Sequence, residues 1–221
     1  MGFVLYDYWR SSAAYRVRIA LNLKELSYES RPVHLLRNGG EQHAAEYQAI
    51  NPQQLIPSLL DGERVVTQSL AIMEYLDETY PERPLLPADA RGRARVRALA
   101  MTVASDGHPI GNLRVLQQLQ AQFGADELQR VEWSRFWIAT SFMALESMLA
   151  GNAATGRFCH GDVPGMADAC LVPQFYSALR WKLALDDYPT LQRIYDECNA
   201  LEAFQRAAPD VQPDAPAPLV A

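Results

Sequence analysis

Two adjacent hydroxyl side chains, Ser11 and Ser12, follow the apolar run Phe3 to Tyr6 and precede the helical pattern Ala13 to Leu23. The first turn of a helix leaves backbone N–H groups unpaired and carries the positive end of the helix dipole, so this position can stabilise an anion or a thiolate. Either serine can instead act as an ordinary helix cap. A second candidate is Ile56-Pro57, which opens an apolar run after Asn51-Pro52-Gln53-Gln54-Leu55. A proline at the entry to an interior strand suggests a cis bond that turns the backbone of Ile56 outward, toward a peptide-like ligand; read alone, it marks only a strand edge. The third is Gln68-Ser69, at the start of another helical run. There a hydroxyl and a backbone N–H can grip a carboxylate, or simply cap the helix.

The elements that position these residues are legible from pattern. Phe3 to Tyr6 reads as a strand, Ala13 to Leu23 as a helix and Tyr28 to Val33 as a second strand, the start of a right-handed βαβ unit. A short helix near Ala44 to Ala49 follows the Gly39-Gly40 stretch. Asp61-Gly62, between Pro57 to Leu60 and Arg64 to Thr67, signals a hairpin. Ser69 to Tyr80 is apolar enough to predict an almost fully buried helix, which completes the order βαβαββα. Pro81, Pro84 and Pro87 interrupt the pattern and place a boundary near residue 85. Beyond it the patterns are helical, over about 91 to 121, 127 to 149, 166 to 181 and 190 to 207. The tail from Pro209, with Pro213, Pro216 and Pro218, is too rich in proline for a helix and is expected to be extended or mobile.

The chain has 221 residues, 49% of them hydrophobic, enough for one large or two small globular domains. With 20 Lys+Arg against 26 Asp+Glu its net charge is -6, so no global basic field draws it to nucleic acid or an anionic membrane. Cys159, Cys170 and Cys198 have neither CxxC nor zinc-finger spacing, which predicts buried thiols in a reducing cytoplasm rather than disulfides or a metal site. No apolar run approaches the ~18 residues needed to cross a membrane, and the first residues lack a basic-then-apolar leader, so a soluble chain is expected.

Taken together, the three candidates in this order, on a βαβαββα unit followed by helices, resemble a glutathione transferase over essentially the whole chain. Arg10-Ser11-Ser12 with Arg16-Val17-Arg18-Ile19-Ala20-Leu21 resembles the zeta-class signature, and Asn51-Pro52-Gln53-Gln54, Gln68-Ser69-Leu70-Ala71-Ile72, Ala167-Asp168 and Leu171-Val172-Pro173-Gln174 match the same group. The resemblance implies an α/β thioredoxin-like domain over 1–84 and an all-α domain over 85–221. It also implies a glutathione-dependent cis-trans isomerase of a maleyl diacid, either maleylacetoacetate or maleylpyruvate, working as a cytoplasmic homodimer.

Residue by residue, the resemblance places Gln42, Ile56, Gln68 and Ser69 at glutathione, the last two at its γ-glutamyl carboxylate and Ile56 through its backbone. Ser11 and Ser12 face the sulfur. His108 and Asn112 reach the glycyl end, and Arg10, Arg114 and Arg180 clamp the carboxylates of the substrate. Arg16 and Arg18, which the family also keeps basic, are assigned to structure or an interface, and Asp168 to structure. The implied chemistry is addition of the glutathione thiolate to the cis double bond, rotation and elimination, with no metal. Ala13 and Ala14 depart from the usual cysteine and serine, leaving no active-site cysteine, and Gly165 replaces the usual Ser or Thr cap. Two alternatives remain open: a transferase that conjugates small electrophiles such as α-haloacids, and a non-catalytic binding module.

Overall fold

The computed structural model describes residues 2–217. The chain divides into two compact units, one of residues up to Leu85 together with those from Leu201 onward, the other Leu86–Ala200.

In the first unit, strand β1 (Phe3–Asp7) leads into α1 (Ser12–Leu23) and β2 (Tyr28–Pro32), and β1 and β2 pair in parallel from Phe3 opposite Tyr28. Two single 3-10 turns precede α2 (Ala45–Ile50); β3 (Ser58–Asp61) and β4 (Arg64–Thr67) then form an antiparallel hairpin before α3 (Ser69–Thr79). The strand order is β2-β1-β3-β4, so β1 and β3, the two that run into candidate positions, are interior. The hairpin turns on Gly62-Glu63. Positive φ falls on the first of these two residues only, at Gly62 (+59°), the pattern of a type II′ turn.

Val17 and Leu21 of α1 and Ile72 and Leu76 of α3 pack with Phe3, Leu5 and Leu59 in the core. Their spacings of four place each pair on one helix face. Of α3, only Ser69, Ile72, Met73, Leu76 and Asp77 are buried. It is therefore a half-buried surface helix rather than the almost fully buried one expected; Ala71 and the Glu78-Thr79 end face solvent.

The second unit holds α4 (Ala90–Met101), a π-helical turn (Thr102–Gly107), α5 (Leu113–Phe123), α6 (Glu127–Leu149), α7 (Met166–Arg180) and α8 (Pro189–Asn199). The single helix expected over 91 to 121 is thus broken. The His108 N–H donates to Val103 O at 2.8 Å, one residue beyond helical register, and Pro109 has no N–H with which to continue. Gly107 permits the close approach of α6, since a Cβ there would lie 2.8 Å from Ser141 Oγ. Phe142, Phe175 and Tyr195 stack in succession, with centroids 5.6 and 4.3 Å apart, to form the aromatic core.

The pattern read as one helix over 190 to 207 also divides. Its end is α9 (Glu202–Gln205), which packs on α1 in the first unit. The tail after it is not extended chain. Pro209–Val211 forms a 3-10 turn, Gln212 is buried with its Nε2 donating to the carbonyls of Arg206 and Ala208, and Asp214 accepts the Trp9 N–H at 3.0 Å. Proline excluded an α-helix here, but side-chain hydrogen bonds dock the segment; Pro218 lies outside the described residues. Cys159, Cys170 and Cys198 are buried thiols rather than disulfides, and no helix among the described residues is long and apolar enough to cross a membrane.

Candidate functional site

Ser11 is the N-cap of α1. Its backbone is extended (φ -70°, ψ 115°) and its Oγ accepts the Ala14 N–H at 3.2 Å. A serine hydroxyl that accepts in this way retains its own proton to donate, so the cap fixes Oγ at the positive end of the helix without using up its donor. Ser12 is the first helical residue. Arg10 lies one residue before Ser11, its guanidinium carbon 5.3 Å from the centre of the Trp9 ring. The half-buried turn therefore carries a cation, two hydroxyls and a helix N-terminus together.

Of the two buried arginines on α1, Arg18 braces this turn and Arg16 ties the helix to the start of α3. Arg18 NH1 donates to Asp7 Oδ1 at 2.6 Å, its Nε to Ala207 O at 2.9 Å and its NH2 to Trp9 O at 3.0 Å, tying β1, the turn and the C-terminal segment to one guanidinium. Both charged side chains are fully buried. Burial pushes the Asp7 carboxyl up, while Arg18 and the Tyr8 N–H pull it down. The Trp9 N–H donates to Asp214 at the other side of the turn. Arg16, also buried, donates from NH1 to Ser69 Oγ at 3.0 Å, linking the second turn of α1 to the start of α3.

Gln68 caps α3 with an unusual backbone, φ +70° and ψ 119°, a conformation that costs a non-glycine residue of order 1–3 kcal/mol. Its side chain Nε2 donates to Gln53 Oε1 at 2.8 Å, which anchors it. Gln68→Gly is accordingly expected to be about 1 kcal/mol more stable than Gln68→Ala, which loses the anchor but keeps the strain. Urea midpoints read the difference, and equal midpoints would show the backbone to be relaxed. The Ile56-Pro57 peptide is cis, and Ile56 precedes the paired part of β3, which begins at Ser58.

Gln42 is 8% exposed and lies under Gly40, where a Cβ would come within 2.6 Å of the carboxamide. Gln54 Oε1 can only accept, so His43 Nδ1 donates to it at 2.5 Å; the other ring nitrogen, Nε2, then accepts from Gln42 Nε2 at 3.0 Å. Gln42 Oε1 remains buried without a hydrogen-bond partner in the protein. A buried acceptor left this way costs stability unless something supplies a donor. His43 is a contributor that pattern reading did not single out, its only signal being its closeness in sequence to Gln42; Gly40 and Gln54 appear in the sequence patterns without a role at this position.

The remaining candidates lie in the second unit. Asn112 caps α5, its Oδ1 accepting the Arg114 N–H at 3.3 Å, so that these two are brought together. His108 is half-buried just after the π turn, and Arg114 is exposed. Arg180 is exposed at the end of α7, its guanidinium carbon 4.1 Å over the Trp181 ring. Asp168 accepts the N–H groups of Cys159 at 2.8 Å and Gly165 at 2.9 Å, holding the loop before α7, which Gly165 has no side chain to cap. Burial pushes its carboxyl up against the pull of those bonds.

The family model described as the N-terminal domain of glutathione S-transferase matches residues 5–84. A protein named probable maleylacetoacetate isomerase from Vibrio cholerae is 54% identical over 97% of this chain and 99% of its own. A solved maleylpyruvate isomerase, described as a bacterial zeta-class glutathione S-transferase in its holo form, superposes with a TM-score of 0.94 at 48% identity, covering 96% of this chain and 100% of the other. The maleylacetoacetate isomerase of Methylobacterium extorquens, solved with malonate and glutathione bound, gives 0.93 at 44% identity over 97% and 100%.

Proposed function

The chain belongs to the zeta class of the glutathione transferase family, and from that premise we propose that it isomerises a maleyl diacid, maleylacetoacetate or maleylpyruvate, to its fumaryl form with glutathione as cofactor. The observation that carries the reading is the start of α1, where the capped Ser11 hydroxyl, Ser12 and Arg10 meet at one helix N-terminus.

The residues present fit glutathione. Gln42 Oε1 is a buried acceptor for a peptide N–H, and the α3 start offers Ser69 and Gln68 to a carboxylate. Ile56, before the paired part of β3, offers its backbone, and His108 and Asn112 are assigned to the glycyl end. When bound, glutathione supplies a thiolate that makes the cis double bond transiently single, so that it rotates, and is then released unchanged.

The chain's own contribution is positioning and charge. Ser11 Oγ–H, held by its bond from Ala14 N–H, donates toward the sulfur position, and the first-turn amides and dipole of α1 add positive potential there. Ser12 supplies a second hydroxyl to the same place. Arg10, Arg114 and Arg180 are assigned to the substrate carboxylates; a guanidinium presents a planar fork of donors that matches a carboxylate. A malonate, also a small dicarboxylate, is bound in the Methylobacterium relative.

A homodimer belongs to the same reading. Its support is the exposed apolar pair Phe136 and Met143, seven residues apart on α6 and 62% and 59% exposed. A cytoplasmic location is supported by the burial of Cys159, Cys170 and Cys198 as thiols rather than disulfides.

The test follows the ultraviolet absorbance of both cis diacids with and without glutathione while free thiol is titrated. The expected result is glutathione-dependent loss of the cis diacid with free thiol unchanged. Glutathione-independent turnover would remove the proposed mechanism, and stoichiometric loss of thiol would replace isomerisation by conjugation.

A further inference from the structure

We propose that Arg16 is a positioning residue for the carboxylate-binding hydroxyl of Ser69, an inference that rests on the assignment of glutathione's γ-glutamyl carboxylate to the α3 start. Arg16 is 2% exposed and Ser69 is 7% exposed, and Arg16 NH1 donates to Ser69 Oγ at 3.0 Å. The contact joins residues 53 apart in sequence, and it ties the helix that carries Ser11 and Ser12 at its start to the helix that begins at Ser69.

A serine oxygen has one proton and two acceptor sites. Arg16 can only donate, so its bond occupies an acceptor site and turns the Ser69 proton away from the guanidinium, into the space at the α3 N-terminus. In that direction the hydroxyl is a donor, matched to an anionic oxygen. Without Arg16 the same hydroxyl is free to rotate and to give its proton to a backbone carbonyl instead. The guanidinium also places a positive charge one hydrogen bond behind the hydroxyl, in a buried setting where charges are poorly screened and charge-assisted bonds are strong. Arg16 thus acts on the ligand through Ser69 and sets a preference for a carboxylate at this end of the cradle.

From the sequence Arg16 and Arg18 are assigned together to structure or an interface, yet the two have different partners. Arg18 faces Asp7 and the turn, which makes it a brace, whereas Arg16 reaches a residue assigned to the ligand.

The test is equilibrium binding by calorimetry, independent of turnover, of glutathione and of an analogue in which a γ-aminobutyryl group replaces γ-glutamyl and so lacks only the α-carboxylate. In the unsubstituted protein the analogue is expected to bind about a hundredfold more weakly, the scale of a charge-assisted site. In Arg16→Met the penalty for removing the carboxylate is expected to fall to about tenfold or less, with Arg16→Lys intermediate because its ammonium also donates. Ser69→Ala leaves Arg16 in place and guards against a folding defect. If Arg16 acts through Ser69, adding Arg16→Lys to Ser69→Ala changes glutathione affinity by less than about twofold. An undiminished carboxylate penalty in Arg16→Lys and Arg16→Met would reduce Arg16 to a structural role while leaving the glutathione site intact. Equal binding of glutathione and the analogue by the unsubstituted protein would instead overturn the carboxylate assignment itself, and this proposal with it.

Discussion

Ser11→Ala is expected to lower turnover about a hundredfold, the usual cost of removing one preorganised donor from a developing or resident anion. The same change removes the cap bond to the Ala14 N–H, which is worth about 1 kcal/mol of stability. Ser11→Gly separates the two effects. Glycine is a tolerable N-cap that costs only a few tenths of a kcal/mol, yet it has no hydroxyl, so its turnover should fall as far as that of the alanine variant while its melting temperature stays near that of the parent. Ser12→Ala, at the first helical position, should leave stability within about 0.5 kcal/mol. Turnover in Ser11→Gly close to that of the parent would move the task to Ser12 or to the backbone amides.

Arg18→Met is expected to be the most destabilising single change at the site, costing about 3–5 kcal/mol, because it leaves the fully buried Asp7 without its ion-pair partner. That is a large share of the ~5–15 kcal/mol that holds a typical domain together. Replacing both partners, as Asp7→Leu with Arg18→Met, should recover much of the loss but not all, since Arg18 also holds the carbonyls of Trp9 and Ala207.

The pH dependence has a definite sign. Burial already pushes the Asp7 carboxyl up, and removing Arg18 takes away the largest opposing pull. Folded Arg18→Met then holds a proton that the unfolded chain has released above the ordinary carboxylate range. Its stability should therefore fall as pH rises from about 4 toward neutrality, more steeply than that of the parent. Urea midpoints at pH 5 and pH 8 read the slope. A flat profile would mean that Asp7 stays ionised without Arg18.

Strong local signals carried most of the fold. Apolar runs marked the strands, Asp61-Gly62 marked the hairpin although its turn falls one residue later on Gly62-Glu63, and prolines at 81, 84 and 87 fell at the change from mixed to helical structure. The misses have physical causes. Helical periodicity over 91 to 121 continues through Gly107, Pro109 and Gly111, so apolar spacing alone hid the π turn and the break that set His108 and Asn112 in place. In α3, Leu70 and Tyr75 are half-buried, an outcome that depends on which neighbours cover each face and not on composition. The docked tail depends on Asp214 and Gln212 finding backbone partners more than 200 residues away in one case and within six in the other, and spacing announces neither.

Within the candidate site, the capping role of Ser11 and the helix-start positions of Gln68 and Ser69 were readable, because caps are local. The bonds of Arg16 to Ser69 and of His43 to Gln42 and Gln54 were not, because side-chain direction is fixed only by tertiary packing.

Stabilisation of a thiolate by the start of α1 is read from the ultraviolet thiolate absorbance of glutathione bound to the protein, followed against pH in the parent and in Ser11→Gly. The expected apparent thiol pKa lies at least one unit below the ~8.5 of a free thiol and rises toward that value when the hydroxyl is removed. A bound thiol that titrates as it does in free solution would contradict it.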